Sequence, residues 1–118
     1  MIIALPVDET KEEICPSFGR APFYMFYNTE TEENELKQNP GSWASGGAGL
    51  KAAQFIVDNE VDVLITPRCG QNASEVLIEA EMKIYKSEGT SASENIKLYK
   101  ENKLLELTTF HEGFHGIH

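Results

Sequence analysis

The chain has only two cysteines, Cys15 and Cys69, and only two arginines, Arg20 and Arg68, and each arginine lies within five residues of a cysteine. Thiolates are soft ligands for iron, copper or a metal–sulfur cluster. Guanidinium groups hold anions through paired, charge-assisted hydrogen bonds. A positive neighbour also lowers a thiol pKa and favours the ligating form. Two cysteines do not complete the four-thiolate ligation of a standard iron–sulfur cluster, so a cluster here needs inorganic ligands of its own, histidine help or a partner subunit. No CxxC or Cys/His spacing of a structural zinc site is present. The competing reading of each cysteine is a buried thiol that packs as a small hydrophobe.

A second chemical signal is the stretch Asn39-Pro40-Gly41-Ser42-Trp43-Ala44-Ser45-Gly46-Gly47-Ala48-Gly49. Closely spaced glycines let backbone N–H groups approach a ligand without interference from Cβ. A helix starting beyond them, at Leu50, adds unpaired donors and a partial positive charge, which suits an anion. A Gly-rich connection is more often a plain flexible loop, so this stretch needs support from the rest of the chain.

Positioning these residues falls to 118 residues, enough for one domain with a real core and too few for two. The net charge of −9 argues against nucleic acid or an anionic membrane as partner. No run is long and apolar enough to span a bilayer and no leader pattern opens the chain, so a cytoplasmic protein is expected. Residues 1–7 read as a buried strand. Residues 21–28, with Phe23, Tyr24, Met25, Phe26 and Tyr27, form an aromatic strand, and 35–38 a short edge strand reached through a turn. A helix follows from Leu50 to Asp58 and Asn59, then a strand at 61–66 and a helix opened by Asn72 with Glu75 in capping-box position. A fifth strand at 82–86 and a helix opened by Ser91 with Glu94 complete the order β-β-β-α-β-α-β-α.

Antiparallel meanders and right-handed crossovers leave one compact solution for that order. It is a five-stranded mixed α/β sheet of strand order 3-2-1-4-5, strand 2 antiparallel, flanked by three helices in the ribonuclease H-like arrangement. Strands 1, 3, 4 and 5 then point one way. The loops leaving their carboxyl ends carry Cys15 and Arg20; Ser45, Gly46, Gly47 and Gly49; and Arg68, Cys69 and Gly70. Open α/β sheets take ligands at this edge. The expected site therefore has Cys15 and Cys69 as metal ligands, and Arg20, Ser45, Gly46, Gly47, Gly49, Arg68 and Gly70 as the anion-binding surround. A nuclease on the same fold would need converging carboxylates. Asp8 ends its strand suitably, but Asp62 begins its own at the opposite edge, and Glu79 has no evident partner. A Cys15–Cys69 redox pair is a further alternative and requires Cα atoms within bridging range.

The segment Cys15-Pro16-Ser17-Phe18-Gly19-Arg20-Ala21-Pro22-Phe23-Tyr24 resembles the FGRAP segment of the dinitrogenase iron–molybdenum cofactor biosynthesis family, the NifX-like and NifB C-terminal-like domains. Ile3-Ala4-Leu5-Pro6-Val7-Asp8, Asn39-Pro40 and Gly89-Thr90 are similar as well, and the resemblance covers residues 1–107. It implies a ribonuclease H-like domain that binds, carries or helps assemble an iron–sulfur or molybdenum-containing cluster without catalysing a reaction. It further implies cluster-assembly proteins or an ATPase as partners; an interaction domain with no cofactor of its own is the alternative. Relatives often carry a histidine near the stretch matching residues 43–46, and this chain has none there. Either the soft ligand has moved from histidine to cysteine, or cluster binding has been lost. Residues 108–118, holding His111, His115 and His118, read as a solvent-exposed tail.

Overall fold

The computed structural model describes residues 1–108 and 110. Its elements are β1 (Ile2–Val7), β2 (Phe23–Asn28), β3 (Glu33–Gln38), α1 (Ala48–Asp58), β4 (Val63–Thr66), α2 (Gln71–Glu79), β5 (Lys83–Lys86) and α3 (Ala92–Lys100). They form one sheet of order β3-β2-β1-β4-β5. β2 is antiparallel to both β1 and β3, while β1, β4 and β5 run parallel. This is the expected order and direction of every strand.

Side-chain alternation divides the interior into two layers. Ala4 of β1, Tyr24 and Phe26 of β2, and Leu64 of β4 face α1 and α2. Ile3, Leu5, Val7, Met25, Tyr27, Val63 and Ile65 point to the other face, where Ala92 and Ile96 of α3 cover them. β1 is buried from Ile3 to Val7 because it lies mid-sheet between helices on both faces. β3 is exposed almost throughout, as its polar composition dictates for an edge.

All three helices end the same way. Glu60, Glu81 and Asn102 adopt left-handed φ values of 59°, 64° and 60°. The N–H of the next residue then reaches back to the helix: Val61 to the Ile56 carbonyl, Met82 to Leu77, and Lys103 to Leu98. This is the Schellman arrangement, here without its usual glycine. As the sequence indicated, Asn59 caps the end of α1, and Glu60 takes the left-handed turn beyond it.

The chain departs from expectation in three places. A short 3-10 turn, Pro40–Trp43, occupies the start of the Gly-rich stretch. α1 begins at Ala48 rather than Leu50. Beyond α3, Glu106 bridges Tyr85 in antiparallel fashion, so residues 105–107 run alongside β5 away from the sheet's carboxyl edge. Leu107 and Phe110 pack against the α1/α2 layer, although sequence reading placed residues 108–118 in a tail. His111, His115 and His118 lie outside the described residues.

Candidate functional site

Three segments are locked together at the carboxyl edge by glycines that leave no room for a side chain. A Cβ on Gly19 would lie 2.8 Å from the Gly49 nitrogen, and one on Gly41 would lie 2.6 Å from the Gly19 oxygen and 2.7 Å from the Ala48 oxygen. The loop after β1, the 3-10 turn and the start of α1 thus touch backbone to backbone. Asn39, wholly buried, holds them. Its amide donates to the Gly19 and Ala21 carbonyls at 3.0 and 2.9 Å, and its side-chain oxygen accepts from the Gly41 N–H at 3.0 Å. Arg20 Nη1 donates to the Ala44 carbonyl at 2.9 Å and ties down the next stretch of loop. A Cβ on Gly49 would sit 3.8 Å from that of Ala73, which places the N-terminal turns of α1 and α2 side by side.

The two N-termini share a feature that α3 lacks. α1 starts from Gly47, left-handed at φ 66°, and α2 from Gly70; neither has a side-chain cap or an acidic residue in its first turn. α3 is capped by Ser91, whose hydroxyl accepts from the Glu94 N–H, with Glu94 in its first turn. The expected cap at Asn72 is therefore a correction. The chain enters α2 directly after the buried Cys69, and Asn72 falls inside the helix. Side-chain-free helix starts leave their N–H groups and partial positive charge for a ligand.

The charge distribution reinforces this. None of the 19 acidic residues falls in 14–29, 36–57 or 63–74, the spans that build this part of the edge, whereas Arg20, Lys37, Lys51 and Arg68 do. The acidic loop at 8–13 leaves the same edge but turns to the α3 side, where Glu13 bridges Ser91 and the Ala92 N–H donates to the Glu12 carbonyl. Neither arginine forms an ion pair among the described residues. Arg20 and Arg68 are both exposed, as are Ser45, Gly46 and Gly47. A Cβ on Gly46 would meet nothing within 4 Å. The protein's own packing makes no demand for glycine there, and the space above it is open to a ligand.

Both cysteines are free thiols, Cys15 half-buried and Cys69 buried. Both lie within electrostatic reach of the Tyr24 hydroxyl, whose pKa is driven well up by burial and further by Cys69 and Cys15. That hydroxyl donates to the Phe18 carbonyl at 2.6 Å. The two thiols have different surroundings. Cys69 is fully enclosed in the apolar cluster with Phe18, Tyr24 and Ala73, and burial pushes its thiol up to about 12. This corrects the expectation that a neighbouring arginine would favour the thiolate. Arg68 points its charge into solvent, so desolvation governs Cys69.

Other candidates lie elsewhere. The Asp8 carboxylate accepts from the Thr10 N–H and hydroxyl in a local turn. Asp62, at the opposite end of the sheet, accepts from the Ile2 N–H at 2.8 Å, and Glu79 closes α2 at that same end. These carboxylates do not converge. Two surface depressions, of about 440 and 500 Å³, lie between α3 and the β2–β3 strands, and no candidate site residue lines either. Sequence reasoning did not assign Asn39, Gly19 or Gly41 to the site. Their signal was present in Asn39-Pro40 and in the glycine of FGRAP, where a small residue beside a turn marks close backbone approach.

The fold is thus an open α/β sheet with two uncapped helix N-termini side by side at its carboxyl edge, built from spans that carry no acidic residue. The match to known proteins is more particular: the family model described as dinitrogenase iron-molybdenum cofactor covers residues 1–102, and the chain belongs to that family. An uncharacterized protein of Methanocaldococcus jannaschii is 33% identical over 107 residues, covering 88% of this chain and 89% of the relative. The solution structure of a candidate NifB protein from Thermotoga superposes with a TM-score of 0.79 at 33% identity, covering 95% and 97% of the two chains. The apo form of the orange protein from Desulfovibrio gigas superposes at 0.83 with 24% identity, covering 91% and 92%, and shares the fold.

Proposed function

We propose that this chain binds and carries a metal–sulfur cluster, iron–sulfur or molybdenum-containing, at the carboxyl edge of its sheet, as cargo and without catalysing a reaction. The observation that carries the reading is the meeting of two side-chain-free helix N-termini with an acid-free surround in a member of the dinitrogenase iron-molybdenum cofactor family. Metal–sulfur clusters are anionic, and such an edge neutralises negative charge through backbone N–H groups and guanidinium. Gly46, Gly47 and Ser45 form the floor in this reading, with Gly49 and Gly70 opening the two helices and Arg68 reaching in from the side. Arg20 acts at one remove by holding the loop through Ala44. Cys15 is the thiolate contact, and Cys69 joins it only where the cluster of Phe18 and Tyr24 opens.

The burial of Cys69 is the one observation that favours a second reading, an interaction domain serving a cluster-assembly ATPase with no cargo of its own. Metal and acid-labile sulfide analysis of anaerobically purified protein separates the two. Iron or molybdenum with sulfide and visible charge-transfer absorption, diminished by Cys15→Ala, is the expected result. Protein that stays colourless and resists reconstitution would transfer the assignment to the interaction domain.

A further inference from the structure

Resting on that reading of the edge, we propose that the cargo is held between two copies of this chain, and that binding an anionic metal–sulfur species converts the monomer into a two-fold dimer. Three observations lead there. Among the described residues no group of three or more His, Cys, Asp or Glu side chains stands together. Of the two thiols only Cys15 is reachable. The C-terminal segment at 105–107 runs away from the edge rather than toward it. A second copy doubles every donor at once.

Charge selects the face. Each chain carries −9, so two copies repel over most of their surfaces. The acid-free edge is the exception. Two such edges brought together repel as like positives until an anion lies between them, and the anion is then neutralised from both sides. Association is thus conditional on cargo.

The rim supplies the contact. Trp43 and Leu50 stand at the two ends of the loop 44–49 and are 65% and 47% exposed. Trp43 is the chain's sole tryptophan. Large apolar side chains flanking a polar centre are the anchors from which protein interfaces draw most of their energy. In a two-fold contact each copy's Trp43 and Leu50 pack on the other's, enclosing the loops and the anion.

The test uses the full chain, anaerobically, with tetrathiomolybdate, a soluble molybdenum–sulfur dianion, as probe, followed by sedimentation velocity at low ionic strength. Expected is a 13.2 kDa monomer without probe. With probe, the visible absorption should travel with a species of doubled mass holding one molybdenum per two chains, and added salt should dissociate it. Trp43→Ala combined with Leu50→Ala should weaken the dimer by about ten-fold or more and lower the bound molybdenum with it. Molybdenum sedimenting with the monomer of the native chain overturns the dimer and leaves the cargo reading intact. No bound molybdenum in either form overturns both. A dimer formed without probe overturns cargo-driven association, and one that survives the double substitution overturns the assignment of its rim.

Discussion

A methyl group added at Gly41 would come within 2.7 Å of two backbone oxygens, whereas one added at Gly46 would meet nothing, and the two glycines therefore answer different questions. Gly41→Ala should destabilise the fold by about 1–3 kcal/mol, because the obstructing atoms are main chain and cannot rotate aside. Gly46→Ala should leave stability within about 0.5 kcal/mol and lower metal retention, because the methyl fills the space the cargo needs. Thermal melts beside metal analysis of both variants make the comparison; equal metal retention in Gly46→Ala would remove that glycine from the site. Cys69 carries a second residue-scale consequence. Its thiol is held up to about 12 from an ordinary 9 by burial, so the native state keeps a proton that the unfolded chain gives up. The unfolded state then binds fewer protons, and the sign is fixed: stability is fully present below pH 9 and is lost as pH rises from about 9 toward 12. Tyr24 acts in the same direction. Denaturant titrations across that range should show the decline, and Cys69→Ala should reduce its slope.

Helix ends decide more here than helix interiors. α1 and α2 start without side-chain caps where the cargo is expected, while α3, which faces away from it, is capped by Ser91. A capping side chain at the first two would compete with the ligand for the same N–H groups. At the other ends, Glu60 and Glu81 occupy left-handed backbone that costs an L-residue about 1–2 kcal/mol relative to glycine. Glu81→Gly relieves this at a position that is exposed and forms no ion pair among the described residues. Glycine's greater freedom in the unfolded chain offsets part of the gain, leaving about 0.5–1 kcal/mol net. A rise in Tm of a few degrees with unchanged metal content is expected. An unchanged or lower Tm would mean that the glutamate makes a compensating contact.

On the scale of the molecule, strand order and direction were legible because the continuous apolar run at residues 1–7 and the aromatic run Phe23–Tyr27 admit one compact pairing with the intervening helices. Convergence of Cys15, the glycine loop and Arg68 at one edge followed from that order alone. What sequence could not show was the environment of each group there. Arg68 and Cys69 are adjacent, yet one is solvated and the other wholly enclosed, and only burial distinguishes a reactive thiol from a packing one. The start of α1 was missed by two residues because Ala48 and Gly49 carry no periodic signal, and α2 was entered early because Gly70 gives no capping side chain to read. The emptiness of one face in acid was hidden as well. Three acid-free spans far apart in the chain look unremarkable until a sheet places them together.

The Asn39 clasp has a consequence for the order in which the molecule is made. Its amide joins residues 20 and 18 positions earlier, and the glycine contact beside it links Gly19 to Gly49. Such pairings form only after the intervening loop has been closed. β1, β2 and β3 must already be aligned before Asn39 can find both carbonyls, and α2 must then arrive to set Ala73 against Gly49. The edge is therefore completed by contacts that neither the meander nor the helices contain alone. A chain still emerging from synthesis, with Gly49 not yet free, has no complete edge.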